Sequence, residues 1–406
     1  RFQSLIGDSS SEKIEFDDLV INLKTYEAKV DDQLLDLTFM EYELLKFFIA
    51  FGLMLIPTFF GGMSLPLIVK SFIREEDKLA QESGVVYAAD TMGNVIGALL
   101  AAMLLMPLLG LQNMFLFISL ACIFVGISAM FIAFRYEATK VNRSVMFVIP
   151  LVLVISIQIA SQAWKLEHLA VVPHRRTPGK TWSQSLQRAE KIDVLFSKDD
   201  PATSIMVVKH NDQSIALLNN GKPDASDKGD MKTQLLLGHI PAVLKPEISD
   251  VCLVGLGSGV TAGAILKHDI KNLHVIELTQ AVVDAQKFFT HVNFKALYDS
   301  RLRLTVDDAR SVLSFDKVKY DVVISEPSNP WQAGVANLFT SDFYELVKRR
   351  LKPDGLFVQW LQLYETNNTL FTSSILTLRS VFPYLYGFRS QHGDLLVVAT
   401  NEPIQL

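Results

Sequence analysis

Three glycines at alternate positions, Gly255, Gly257 and Gly259, follow the apolar run Val251–Val254 and precede the stretch VTAGAILKH. Glycines in such a turn let the backbone approach a ligand closely, and the start of the following helix offers unpaired amides. Glu277 closes the next apolar run, Leu273–Ile276, 18 residues beyond Gly259 (277 − 259). That spacing puts a carboxylate at the tip of the neighbouring strand, where it accepts both hydroxyls of a ribose. Two further runs end the same way: Arg301–Val306 in Asp307-Asp308-Ala309-Arg310, and Asp321–Ser325 in Glu326-Pro327-Ser328-Asn329-Pro330-Trp331. An acid at 307 or 308 is placed to reach an adenine amino group. The spacing GxGxG, without the third glycine of a dinucleotide site, is that of domains that bind S-adenosyl compounds. The competing reading is a set of solvated loop carboxylates, and it weighs most on Asp307.

Strand, glycine turn, helix, strand and terminal acid in repeated βαβ order define the elements that must hold these groups. In an open α/β sheet, ligands bind beyond the carboxyl ends of the strands, where Gly255, Glu277, Asp308 and Glu326 all fall. The expected fold is therefore α/β: a Rossmann-like, methyltransferase-type domain over residues 248–406. A small β subdomain over 191–247 precedes it, with strands at Ile192–Phe196, Ser204–Val208 and Ser214–Leu218. The turn Asn219-Asn220-Gly221-Lys222 and a helix over Lys232–Leu244 complete that subdomain. Residues 164–190, with Pro173, Pro178 and Gly179, read as a linker.

The N-terminal part has another character. Half of the 406 residues are hydrophobic, which is high for a purely soluble chain. Over 44–163, four stretches approach the ~20 apolar residues that span a bilayer: Leu44–Val69, Val85–Leu109, Met114–Phe134 and Val145–Ala160. The second carries Gly93-x-x-x-Gly97, which permits close helix packing, and Asp90 with Asn94 one turn apart. About four transmembrane helices are thus expected, with the lipid bilayer as a partner. A net charge of −5 gives no basic footprint, so no nucleic acid is expected. Basic loops fall on both sides of the expected spans, and use of an intracellular nucleoside places the C-terminal domain in the cytoplasm. Cys122 and Cys252 read as buried small hydrophobes, with no disulfide and no metal site. The chain opens on Arg1 rather than Met, as a fragment would. Its first apolar stretch starts too far in for a signal peptide.

Two resemblances add to this reading. Residues 14–45, including LTFMEYELLKF, resemble the opening of a response-regulator winged-helix domain, so 1–43 is expected to be a truncated remnant without DNA binding. The segments LLNNGKPDASDKGDMKTQLLLGHIPAVL, VGLGSGVTAG, VDDAR, YDVVISEPSNPW and ANLFTSDFYELVKRRLKPDGLFVQWLQLY run in the order seen in spermidine synthases. They look closest to the bacterial membrane-fused members of that family.

The resemblance implies transfer of an aminopropyl group from decarboxylated S-adenosylmethionine to a polyamine or other amine. It implies that Glu326 orients the amine and accepts its proton. Gly255, Gly257 and Gly259 would hug the co-substrate, Glu277 its ribose, and Asp308, with Asp307 beside it, its adenine. Asn329, Trp331, Gln359 and Tyr364 would face the acceptor. A multi-pass protein of the bacterial inner membrane is implied, with a homodimer as an allowed assembly.

Three departures bear on the acceptor. Soluble members carry two aspartates three residues apart where this chain has Glu326 and Asn329. Thr233-Gln234-Leu235 stands where they read Tyr-His-Glu, and Ser258 replaces an acid in the glycine loop. Two other readings stay open: a methyltransferase using S-adenosylmethionine itself, and a non-catalytic sensor or transporter that binds a nucleoside or polyamine.

Overall fold

A computed structural model describes residues 13–16, 19–22, 27–30 and 33–35, short pieces between 55 and 70, and residues 78–135 and 165–170. It further describes 189–200, 203–330, 334–364, 366 and 368–404. The helix expected from Phe39, most of the stretches 44–69 and 145–160, and Trp331 lie outside the described residues. The chain forms two compact units, one of residues 1–51, 167–197 and 204–406, the other of residues 52–166 and 198–203.

Among the described residues, the first unit holds three sheets. Strands β1 (Lys13–Phe16), β2 (Leu19–Asn22), β3 (Glu27–Val30) and β4 (Gln33–Leu35) form an antiparallel meander. A second four-stranded sheet is built in chain order from β5 (Ile192–Asp199), β6 (Ser204–His210), β7 (Ile215–Asn219) and β8 (Lys222–Ser226). The turn between β7 and β8 is Asn220-Gly221, both with positive φ (50° and 79°). That geometry matches the twist of a two-residue hairpin and sets Lys222 opposite Asn219.

The third sheet has seven strands: β9 (Asp250–Val254), β10 (Asn272–Glu277), β11 (Leu302–Val306), β12 (Tyr320–Ser325), β13 (Leu351–Gln362), β14 (Tyr384–Gln391) and β15 (Asp394–Thr400). Their spatial order is β11-β10-β9-β12-β13-β15-β14. All run parallel except β15, which is antiparallel to both of its neighbours. The chain moves outward from β9 in one direction, then returns to β12 on its other side. The crevice between the ends of β9 and β12 is therefore the switch point of the sheet, where such folds bind ligands.

Side chains alternate between the two faces, as a strand's period of two requires. Val251 and Leu253 of β9, Val322 and Ile324 of β12, and Leu356 and Val358 of β13 pack on one face, with Leu237, Ile265, Leu217 and Ala225. Cys252, Val323, Phe357 and Leu361 pack on the other, with Phe343, Tyr344, Val347 and Leu378. Burial on both faces explains why these strands read as unbroken apolar runs.

The second unit contains helix α1 (Leu79–Leu100), a π-helical turn (Ala101–Leu105) and helix α2 (Met106–Arg135), which breaks at Gly110 (φ 73°). Leu79–Val125 is long and apolar enough to cross a membrane. Val85, Met92, Ile96, Leu99, Met103 and Phe124 are all exposed on it. Gly110, whose backbone is non-helical, divides this stretch where the two spans expected at 85–109 and 114–134 part. Cys122 is exposed rather than buried, because it stands on this unpacked helical surface, whereas Cys252 is buried; both are free.

Candidate active site

The glycine turn is built as its spacing requires. Gly255, Gly257 and Gly259 have φ of +92°, +52° and +81°. At Gly255 a Cβ would stand 2.6 Å from the backbone oxygen of Glu326, and at Gly259 it would overlap Gln286. The following helix, Val260–Ile265, stops earlier than VTAGAILKH implied. Lys267 and His268 close tighter turns onto Ala264 and Ile265 instead.

Glu277 ends β10 beside that turn and is buried. Its Oε2 accepts the Leu256 N–H at 2.9 Å and its Oε1 the Thr279 N–H at 3.1 Å. Burial pushes this carboxyl above the usual range, and the amides pull it back. The amides of Leu256 and Thr279, with that of Leu278, favour its ionised form. Asp307 and Asp308 are exposed at the end of β11. Asp308 caps the helix Ala309–Phe315, its Oδ1 accepting from Ser311 N at 2.8 Å, and Asp307 Oδ1 accepts from Asp308 N at 2.7 Å.

Glu326 follows β12, its N–H bound to Val254 O across the switch point. Burial, with Asp230 and Glu277 nearby, raises its carboxyl to about 8. Its Oε2 is cut off from solvent and has no partner. Seven neighbours share that condition: Ser325 Oγ, Asn329 Nδ2, both amide atoms of Gln359, Trp360 Nε1, Gln362 Oε1 and Asp394 Oδ1. Strand register explains the cluster, since Ser325 lies opposite Gln359 and Gln362 opposite Asp394. One such orphan costs about 1–3 kcal/mol. Eight at one end of one sheet are the mark of a place that a polar ligand completes.

Beside them lies a cavity of about 670 Å³, lined by Asp212, Asp224, Asp230, Asp394, Trp360 and Tyr364 among others. Burial, with Asp394 adding to it, raises Asp230 to about 6. Asp230 stands at the start of the helix Met231–Leu244 without capping it; its carboxylate accepts from Ser226 instead. Thr233 Oγ1 donates to Asp394 Oδ2 at 2.6 Å. Ser258 hydrogen-bonds Gln234 Oε1. Two of the departures noted above, at 258 and 234, therefore meet and satisfy each other.

Sequence reasoning placed Gly255, Glu277, Asp308 and Glu326 at or beyond strand ends, where the structure has them; Gln359, expected to face the acceptor, lies within β13 opposite Ser325. That reasoning missed Asp224, Asp230, Asp394 and above all Lys222, which is 2% exposed. A hairpin lysine is ordinarily a solvated one. The available signal was charge: a neutral Asn329 in place of an acid asks which buried group took up its role. His239 and His268 hydrogen-bond each other at 2.8 Å and do not line the cavity. That agrees with their structural reading.

Sheet order, glycine turn and acid-tipped strands together define a Rossmann-like, methyltransferase-type α/β domain. Residues 231–389 match the spermine/spermidine synthase domain. A polyamine aminopropyltransferase of Buchnera aphidicola (subsp. Acyrthosiphon pisum, strain Tuc7) is 27% identical over 230 residues, covering 53% of this chain and 77% of that protein. Polyamine aminopropyltransferase 2 of Aquifex aeolicus (strain VF5) is 23% identical over 363 residues, covering 88% of this chain and 69% of that protein. The crystal structure of a spermidine synthase from Thermotoga maritima aligns with a TM-score of 0.47 at 23% identity, over 52% of this chain and 74% of that one. Over residues 231–389 this chain is thus similar to the spermine/spermidine synthase domain and to polyamine aminopropyltransferases.

Proposed function

We propose that the chain is an aminopropyltransferase that uses decarboxylated S-adenosylmethionine and an amine acceptor. The observation that carries this reading is the cluster of orphaned polar atoms around Glu326, set beside an acidic cavity walled by Trp360 and Tyr364. Carboxylates draw in a cationic amine, and aromatic faces hold it by cation–π contact.

Gly255, Gly257 and Gly259 leave room for the nucleoside, and Glu277 takes its ribose. Asp308, with Asp307 beside it, is placed for the adenine. When bound, the donor supplies an activated aminopropyl carbon and departs as methylthioadenosine. The chain's own task is positioning and proton removal. Glu326, with its carboxyl near 8, matches an ammonium closely enough to take its proton and free the nitrogen lone pair. Attack then forms the C–N bond as the C–S bond breaks, with the electron pair going to sulfur.

We also propose that Leu79–Val125 anchors the protein in a bilayer of the bacterial plasma membrane with the C-terminal domain in the cytoplasm. Support comes from its exposed apolar surface. The similarity to the Aquifex relative also covers more of this chain than the C-terminal domains supply.

The test is incubation of the detergent-purified protein with decarboxylated S-adenosylmethionine and a panel of amines, read by mass spectrometry. Methylthioadenosine together with an aminopropylated product is expected. Methylation with S-adenosylmethionine instead, or nucleoside binding with no product, would overturn the reading.

A further inference from the structure

Lys222 opens β8 with its side chain turned inward, and a bulge at Asp224, two residues on, leaves that residue outside the ladder. Lys222 Nζ donates to Asp224 Oδ1 at 2.8 Å, to Ser328 Oγ at 3.1 Å and to Asn329 Oδ1 at 2.5 Å. Ser328 Oγ also donates to Asp224 Oδ1 at 2.7 Å. An ammonium has donors only, so the atom Asn329 turns toward it must be the amide oxygen. The amide's orientation is thereby fixed by chemistry. Its Nδ2 faces the other way, on a side chain 1% exposed, and has no partner.

An amide N–H cannot serve an ammonium group, which likewise only donates. It serves a lone pair: a hydroxyl, a carboxylate or an uncharged nitrogen. Lys222 also neutralises Asp224, removing one of the charges that would favour a second cation at this end of the site. We propose that Lys222 is a specificity-determining positioning residue. By holding Asn329 Oδ1, it makes the site present a donor beside Glu326 and select an acceptor amine whose far group accepts a hydrogen bond, in preference to a diamine. This inference rests on the aminopropyl-transfer reading above.

Three four-carbon probes that differ at one end, putrescine, aminobutanol and γ-aminobutyrate, test it by calorimetric titration of the full chain in detergent with methylthioadenosine bound. The wild type is expected to bind aminobutanol or γ-aminobutyrate at least tenfold more tightly than putrescine. Lys222→Met and, independently, Asn329→Asp are expected to reverse that order while methylthioadenosine affinity stays within threefold, which certifies the fold of each variant. Tighter binding of putrescine by the wild type, or an unchanged order in whichever variant retains methylthioadenosine, overturns the role of Lys222 and leaves aminopropyl transfer standing. Binding of methylthioadenosine but of none of the three probes overturns the transfer reading, and this inference with it.

Discussion

A Cβ on residue 255 would lie 2.6 Å from the backbone oxygen of Glu326, so the glycine turn and the acid-bearing loop touch main chain to main chain. At Gly257 the nearest atom would be Ala225 Cβ at 3.6 Å, an ordinary contact. Gly257→Ala should therefore cost only the left-handed backbone term, about 1–2 kcal/mol. Gly255→Ala carries a similar term plus a clash that must push Glu326 aside. Thermal melts should rank Gly255→Ala well below Gly257→Ala, while both should weaken nucleoside binding, since each glycine is placed to leave room for the ligand. Equal melting temperatures would refute the contact.

Glu277→Ala removes the acceptor of two buried amides as well as the ribose contact. Leaving Leu256 N–H and Thr279 N–H without partners is expected to cost about 2 kcal/mol or more, seen as a lower denaturant midpoint. Methylthioadenosine binding should vanish in the same variant. Retained affinity would move the ribose to another residue.

The raised carboxyl of Glu326 gives a pH signature with a definite sign. Its value lies near 8 in the fold against 4.5 for the free group, so between those values the folded chain holds a proton that the unfolded chain has lost. The stability of the ligand-free protein should fall as pH rises through that window. Glu326→Gln should flatten the slope. Turnover should climb toward a plateau above about pH 8, as a base that must be ionised requires. That rising limb should be absent from any residual activity of Glu326→Gln.

Asp230→Asn and Asp394→Asn should weaken amine binding while leaving methylthioadenosine affinity within about threefold, because both line the acidic cavity and neither touches the glycine turn. Equilibrium dialysis with each ligand separates the two effects. A parallel loss of both affinities would mean that the cavity and the nucleoside site are one.

The geometry of the glycine turn and of the acid ending β10 was legible because it is local. Gly255, Gly257, Gly259 and Glu277 sit at fixed offsets from the ends of consecutive strands. The amine half was not, because register and hairpin geometry assemble it. Asp394 joins Gln362 across β15 and β13, and Lys222 reaches Asn329 over 107 positions. Strand ends were expected within a few residues of where they fall. The helix after Gly259 was overestimated, because Leu266 and Lys267 continue the helical pattern of residue types while the backbone tightens there. The apolar character of 79–125 was plain from composition. The break between its two helices was legible too, since Gly110, between two apolar runs, takes the non-helical backbone of a turn.

The placement of β15 has a consequence for how the molecule is made. This strand slots between β13 and β14, although it follows both in sequence, and Asp394 is its first residue. β13 already pairs with β12, but β14 joins the sheet through β15 and cannot settle until that strand arrives. During synthesis the glycine turn and Glu277 can close early around a nucleoside. The acidic wall must await the pairing of Asp394 with Gln362, which the last strand of the chain supplies. A nascent or partly unfolded chain would then recognise the nucleoside before it could discriminate among amines.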